Sequence, residues 1–253
     1  MKNVVTIAKN TFRESIRQKI LLAILAFALL FIASTIMLGS LSLGEDIKVI
    51  KDFGLAGIYL FSLIISIFLG TSLISTEIDR HTIYIILSRP VSSIQIIIGK
   101  FIGLLASVLL SILIMTAVYL AIVVLKGGGF DAKSLIAILL QLFEISLFIA
   151  LSILFSTFAT PLASALYAVL ILFIGHSLTL ILQGAQKSTA LFKYLAFGLY
   201  YVLPNLEKFN IRNIVVHSSA INSKEIIFSI LYGIAYTAIV LYLANLSLKK
   251  QEY

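Results

Sequence analysis

Three polar side chains interrupt long apolar runs in the second half of the chain: Gln141, Glu144 and His176. Glu144 lies near the middle of its run, where an acidic charge costs about 2.5 to 3.5 kcal/mol in hydrocarbon. Gln141 lies one helical turn away, and His176 could reach a similar depth in the next run and pair with Glu144. These residues are therefore candidates for a substrate path. The alternative is a structural carboxyl that hydrogen-bonds a neighbouring helix.

Metal binding and catalysis by these residues are not expected. One histidine and one carboxylate fall short of a metal ligand set, and His81 and His217 are predicted to lie on opposite sides of a membrane. The patterns H-E-x-x-H and G-x-S-x-G do not occur in the sequence. The sequence therefore predicts no catalytic residues and no metal site.

Composition places this chain in a membrane. Of its 253 residues, 60% are hydrophobic and 12% are charged, and the mean hydropathy is +1.11. The net charge of +8 would suggest nucleic acid for a soluble protein. Here, however, Lys and Arg flank apolar runs, as orientation and anionic lipid headgroups require. Membrane lipids are therefore expected partners and nucleic acid is not, while the absence of cysteine excludes disulfides.

The lengths of the apolar runs predict an all-α integral membrane protein with six transmembrane helices. Residues 1–253 are expected to form a single domain. The predicted spans are 20–43, 55–75, 101–125, 134–158, 162–183 and 226–248.

An amphipathic interfacial helix is predicted over residues 1–19, before the first span. Its apolar stripe is Val5, Ala8, Phe12, Ile16 and Ile20. Basic residues at the ends of the spans are expected to anchor the chain at the membrane interface, namely Arg13, Arg17, Lys19 and Lys100.

Six spans place both termini on one side of the membrane. Lys and Arg number five before the first span and three between the second and third spans, against two in each short loop on the other side and five in residues 184–225, so the bias rests on the early segments. By the positive-inside rule, both termini and the loop at 76–92 are cytoplasmic. The expected localisation is therefore the cytoplasmic (inner) membrane, with multiple spans.

Residues 184–225 form a long extracytoplasmic segment in this topology. Within it, residues 190–203 are apolar but too few to span comfortably, and Pro204 ends the run. This pattern predicts a re-entrant or interfacial helix whose turn packs against other helices or lies at the outer boundary. Four tyrosines near that boundary are interpreted as membrane-interface anchors: Tyr59, Tyr119, Tyr232 and Tyr236.

The loop at 76–92 has the signals of a short helix parallel to the membrane. Thr76, with Asp79 three residues later, predicts its start, and Arg89 before Pro90 predicts its end. Ser92 and Gln95 then form a predicted capping box that begins the third span.

The residues of this loop resemble the signature of ABC-2 type transporter permeases. They are Glu77-x-x-x-His81-Thr82, Leu87-Ser88-Arg89-Pro90-Val91-Ser92 and Gly99-Lys100-Phe101. Residues 7–17, 203–209 and 248–253 are similar to the branch containing the nitrous oxide reductase maturation and gliding-type permeases. The resemblance covers essentially the whole chain. Ser93 and His81 depart from the residues frequent in relatives, which suggests a surface tuned to a particular ATPase.

The resemblance implies a half-transporter that works as a dimer, with a second permease copy in a homodimer or heterodimer. A cytoplasmic ABC ATPase subunit would dock on the coupling helix in the loop and bind ATP and Mg. The implied coupling residues are Glu77, Asp79, Arg80, His81, Thr82, Ser88, Arg89 and Pro90. Export is the expected direction of transport.

The sequence agrees that this chain binds no cofactor and is not itself an enzyme. It lacks a G-x-x-x-x-G-K-[ST] phosphate loop, so nucleotide is expected on the partner. Two alternatives stay open. The assembly could transmit force to an extracytoplasmic partner protein through residues 184–225 without moving a solute, or the chain could be an ATP-independent channel or secondary transporter.

Overall fold

The computed structural model describes residues 2–42, 44–79, 92–186, 190–217 and 222–250. Helix is the only regular secondary structure in these ranges. The elements are α1 (Lys2–Arg17), α2 (Lys19–Ser40), α3 (Asp46–Asp79), α4 (Ser93–Leu125), α5 (Ala132–Ser156), α6 (Pro161–Ala185), α7 (Ala190–Val202), a 3₁₀ helix (Leu206–Phe209), α8 (Arg212–Val216) and α9 (Ser223–Lys249).

Six helices in the described ranges are long and apolar enough to cross a membrane: α2, α3, α4, α5, α6 and α9. They correspond in order to the six predicted spans, which confirms the all-α membrane fold. Placement of α1 in the membrane interface stays a prediction.

The largest boundary difference concerns α3, which begins at Asp46 and continues to Asp79. The predicted helix start at Thr76 is wrong, because the backbone there continues α3 without a break. No glycine or proline precedes Thr76 closely enough to stop the helix. Residues 76–79 of the predicted loop therefore extend α3.

Capping side chains determine where α4 and α5 begin. The predicted capping box at Ser92 is confirmed, because Gln95 Oε1 accepts from the Ser92 N–H at 3.4 Å and α4 begins at Ser93. Asp131 caps α5 by accepting from the N–H groups of Lys133 and Ser134 at 3.1 and 3.4 Å. These caps satisfy amide groups that the first helical turn leaves unpaired.

The core lies among α3, α4 and α5. Their buried side chains form one continuous apolar cluster that includes Ile58, Leu104 and Ile149. Helix α1 packs along α4, while α2 packs on α3 and α4, and α6 and α9 pack on α5. Helix α5, which bears Gln141 and Glu144, is thus held from several sides.

Residues 190–217, the outer segment, run back along α6 and insert between α6 and α9. Gly175 makes this approach possible, because a Cβ there would lie 2.8 Å from Pro204 O and 2.6 Å from Leu206 Cδ1. Gly175 lies ten residues before the end of α6 at Ala185, so the outer segment reaches about 15 Å down that helix.

Hydrogen bonds from α9 secure the outer segment. Tyr232 Oη accepts from the Asn205 N–H at 2.8 Å, and Ser229 Oγ donates to Lys208 O at 2.9 Å. The hydroxyl of Tyr236 donates to the carbonyl of Val202. The turn after Pro204 thus packs against other helices, as non-helical backbone within a membrane requires.

The interpretation of the tyrosines as interface anchors is wrong for Tyr119. Its side chain is 0% exposed, and its hydroxyl lies 2.9 Å from Ser134 Oγ on α5. The hydroxyls of Tyr232 and Tyr236 also bond to backbone groups of the outer segment. A buried tyrosine hydroxyl needs a hydrogen-bond partner, and here the partners come from the protein.

Candidate functional site

Glu144 lies at the centre of α5. Twelve residues separate it from Ala132 and twelve from Ser156, so each end of the helix is about 18 Å away. Its side chain is 1% exposed. A carboxylate at this depth is stable only when hydrogen bonds or a proton compensate for the lost water.

Two side chains from other spans contact the Glu144 carboxylate. Tyr59 Oη on α3 donates to Glu144 Oε1 at 2.5 Å. His176 Nε2 on α6 lies 2.9 Å from the same oxygen and 2.8 Å from Tyr59 Oη. Three helices therefore converge on one carboxylate oxygen, and the pairing of His176 with Glu144 is as the sequence indicates.

The other ring nitrogen of His176 contacts the outer segment. His176 Nδ1 lies 3.2 Å from Glu207 Oε2, in the 3₁₀ helix. The side chain of Glu207 is 49% exposed, in contrast to the buried Glu144. Tyr59, Glu144, His176 and Glu207, the polar cluster, thus connect the centre of α5 with the surface of the chain.

A cavity of about 240 Å³ adjoins the polar cluster. Its lining residues are Tyr59, Gln141, Glu144, His176, Asn210 and Arg212. Gln141 is 7% exposed, and its Oε1 has no hydrogen-bond partner among the described residues. The volume holds several water molecules or a small polar group, and the unpartnered oxygen can accept a hydrogen bond from either.

Two ion pairs join α3 to neighbouring elements, and one of them includes Arg212 of the cavity lining. Asp52 lies two turns before Tyr59 on α3, and its Oδ1 lies 3.0 Å from Arg212 Nε on α8. Lys51 Nζ lies 2.7 Å from Asp131 Oδ2. These pairs join α3 to the start of α5 and to the outer segment.

Asp131 is held in its ionised form. Burial tends to raise the pKa of Asp131, but Lys51 and the hydroxyl and backbone N–H of Ser134 outweigh it, so the pKa lies below its ordinary value of 3.8. The negative charge at the start of α5 also suits the positive end of the helix dipole.

Sequence reasoning missed half of the site. The sequence pattern favours an interface anchor for Tyr59. Glu207, Asn210 and Arg212 are not among the predicted site residues, because they follow the apolar segment in the connection before the last span. The signal that could have found them is the polar run after Pro204, since backbone that folds back into a membrane brings its polar residues with it.

No group of three or more His, Asp or Glu side chains in the described ranges could hold a metal ion. Glu144 and Glu207 contact different nitrogens of the His176 ring. The two carboxylates therefore do not converge on a common point where a cation could bind.

Residues 80–91 lie outside the described part of the chain, so the predicted coupling residues Arg80, His81, Thr82, Ser88, Arg89 and Pro90 have no structural account. Glu77 and Asp79 lie on the helical backbone of α3.

The predicted anchors differ in exposure. Arg13, Arg17 and Lys19 are exposed, whereas Lys100 is only 3% exposed. Lys100 directly follows Gly99, which lies against Val4 and Ile7 of α1. Its side chain is therefore covered by protein, unlike the three residues around the end of α1.

One family model matches the chain. Its description is ABC-2 family transporter protein, and it covers residues 5–253. The match includes all six spans and every residue of the polar cluster. No curated protein matches the chain.

Proposed function

The chain belongs to the ABC-2 transporter family and is a membrane permease of an ABC transporter, and we propose that it exports a substrate past the polar cluster, driven by a separate ATPase subunit. The observation that carries this proposal is the polar cavity beside Glu144, at the centre of an apolar bundle. Ionisable groups in such positions are costly, and they commonly mark substrate or ion pathways.

The arrangement of α3 supports coupling between the cavity and a cytoplasmic ATPase. One continuous helix carries Asp52 and Tyr59 at the site and extends to Asp79, within the proposed coupling loop at 76–92. Twenty residues, or about 30 Å of helix, separate Tyr59 from Asp79. A rigid element of this kind can transmit a displacement of the loop to the hydroxyl that contacts Glu144.

The proposed assembly contains two permease chains and two ATPase subunits. ATP and Mg bind to the ATPase subunits, because the sequence of this chain has no phosphate-binding loop. ATP-driven association of those subunits would move the helices between inward-open and outward-open arrangements.

The variant Glu144→Gln tests whether Glu144 contributes to the proposed substrate path. Glutamine keeps size and polarity but removes the charge and the exchangeable proton. The variant complex, purified with its ATPase and placed in vesicles, should assemble and keep basal ATP hydrolysis. Stimulation by candidate lipids, drugs or metal chaperones that stimulate the wild type should be lost. Glu225→Gln is the matched control, because Glu225 lies on the first turn of α9, away from the cavity.

The opposite outcome assigns Glu144 a structural role. In that case Glu144→Gln keeps wild-type stimulation, while Glu144→Leu is clearly less stable to heat. This pair of results contradicts the proposed path.

Charge reversal in the loop tests the ATPase partner. Arg80→Glu combined with Arg89→Glu should reduce or abolish co-purification of the ATPase, because like charges opposed at an interface cost several kcal/mol. Reversal of Lys193 and Lys224, both in the predicted extracytoplasmic segment, is the control. A loop variant that retains a full complement of ATPase and transport shows that the loop is an ordinary connector.

Force transmission to an extracytoplasmic protein is the second candidate. The observation in its favour is the bonding of the outer segment to α9 through Ser229 and Tyr232. Movement of α9 would displace this segment. ATP hydrolysis that responds to an extracytoplasmic protein, and to no solute or lipid, would favour this function over export.

A further inference from the structure

His176 connects an exposed carboxyl group with a buried one. Its Nδ1 lies 3.2 Å from Glu207 Oε2, and its Nε2 lies 2.9 Å from Glu144 Oε1. Glu207 is 49% exposed and Glu144 is 1% exposed. A single imidazole ring therefore links the exposed carboxyl group of the outer segment to the buried carboxyl group at the centre of α5.

The hydrogen-bonding capacity of these groups requires a shared proton. Ionised carboxylates only accept, whereas a neutral imidazole donates from one nitrogen and accepts at the other. With both carboxylates ionised and a neutral ring, one contact would bring two lone pairs together. The three groups are satisfied when an additional proton resides on the ring or on one carboxyl group, and these states differ by transfer along an existing contact.

The basic side chains near the two carboxylates determine which groups can share this proton. In the described ranges, His176 is the only basic side chain within 4.0 Å of either carboxylate. Arg212 instead lies 3.0 Å from Asp52, and Lys208 Nζ lies 4.3 Å from the centre of the Tyr232 ring.

Two further groups complete the contacts of the carboxylates. Tyr59 Oη donates to Glu144 from α3 and lies 2.8 Å from the His176 ring, so it can fix the ring orientation. Asn210 Nδ2 donates to Glu207 Oε1 at 3.3 Å. Neither group carries a positive charge that could offset the charge of a carboxylate.

We propose that Glu207, His176 and Glu144 form a proton relay that loads Glu144 from the outer surface of the chain. A proton on Glu207 Oε2 passes to His176 Nδ1, and the proton on Nε2 passes to Glu144 Oε1. The result is an ionised Glu207, a neutral ring protonated at Nδ1 and a neutral Glu144. Rotation of the ring, or proton exchange with cavity water, restores the starting tautomer.

Protonation of Glu144 changes the hydrogen bonds that the cavity can form. Ionised Glu144 only accepts hydrogen bonds, whereas protonated Glu144 also donates one. The relay would thus make the preference of the cavity for a solute depend on pH at the outer surface. Its existence does not require the chain to be an exporter, so the two proposals fail separately.

Infrared difference spectroscopy on the purified full chain in lipid nanodiscs tests the relay. A pH change across about pH 5 to 9, where histidines titrate, should reveal a C=O stretching band of a protonated carboxyl. Glu144→Gln should remove that band. After a rapid drop in pH, the band should appear at least about tenfold more slowly in Glu207→Gln and His176→Gln, since a positioned acid or base typically contributes about 10² to 10⁴ in rate.

Glu225→Gln is the control, because Glu225 accepts from Asn222 Nδ2 at 2.9 Å outside the relay. It should leave both the band and its rate unchanged. Circular dichroism and thermal unfolding confirm that each variant is folded, and Glu207→Gln, on the exposed side, is the least disruptive. A band that persists in Glu144→Gln, an absent band, or wild-type rates in both relay variants would overturn the proposal.

Discussion

Tyr59 and Glu144 are joined by a hydrogen bond of 2.5 Å between Tyr59 Oη and Glu144 Oε1, although 85 residues separate them in the chain. The bond ties α3, which leads to the proposed coupling loop, to the centre of α5. It also places a hydroxyl donor on the same carboxylate oxygen that His176 contacts. Stability and site geometry therefore depend on the same contact.

Tyr59→Phe should lower the free energy of unfolding modestly. The ring remains, but the carboxylate loses one donor, and interhelical hydrogen bonds in membranes average about 0.6 kcal/mol with a maximum of about 1.7 kcal/mol. Reversible unfolding of the purified chain in mixed micelles measures the change. Tyr242→Phe, at an exposed position of α9, should have little effect. Equal stability of both variants and the wild type would contradict the importance of this bond.

Gly175→Ala should loosen the outer segment. The new Cβ would lie within 2.8 Å of Leu206 side-chain atoms and of Pro204 O, and overpacking of this kind typically costs about 1 to 3 kcal/mol. Gly184→Ala, on the same helix, has no atom within 4 Å of its added Cβ. Thermal unfolding and protease cleavage within residues 190–217 should distinguish the two variants. Equal cleavage rates would show that the close approach at Gly175 does not hold the segment.

Asp131→Asn should destabilise the chain at neutral pH and have little effect in acid. Because the pKa of folded Asp131 lies below its ordinary value of 3.8, ionisation stabilises the folded state above that value. This contribution is lost as pH falls through the lowered pKa. A helix cap of this type is worth about 0.5 to 2 kcal/mol, although asparagine keeps part of the capping. Unfolding measured from neutral to strongly acidic pH tests this.

Glu45→Gln is the control for Asp131→Asn. Glu45 also forms an ion pair, with Lys48 at 2.8 Å, but both side chains are more than half exposed. Exposed pairs contribute little. A loss in Asp131→Asn that is independent of pH would contradict an electrostatic origin.

The six spans and the short helix before Pro204 were predictable because their cause is local. Hydrocarbon requires long apolar runs, and a run of about fourteen residues before Pro204 is too short to cross. Ser92 and Gln95 likewise determine a helix start within one turn. The continuation of α3 through Thr76 was missed because a capping pattern does not act when the preceding helix has no reason to stop.

The site was only partly predictable because its partners are distant in sequence. Glu144 and His176 stood out as polar residues in apolar runs. Glu207 and Arg212 did not, because their position depends on how far the outer segment descends along α6, and that depth depends on contacts at Gly175 and Tyr232. Tyr59 was misinterpreted because a tyrosine near a span end equally suits the interface or a buried acceptor.

ATP-dependent access to Gln141 tests the central claim most directly. The chain has no cysteine, so Gln141→Cys introduces a single thiol into the cavity lining. Ser146→Cys, on the same helix but outside that lining, is the control. A charged, water-soluble thiol reagent is added to the complex with its ATPase, first without nucleotide and then with ATP, Mg and vanadate. Our account predicts that Gln141→Cys reacts faster than Ser146→Cys and that ATP changes its rate about tenfold, equivalent to about 1.4 kcal/mol. A rate for Gln141→Cys that is unaffected by ATP, or that equals the rate of Ser146→Cys, would contradict an ATP-driven path through this cavity.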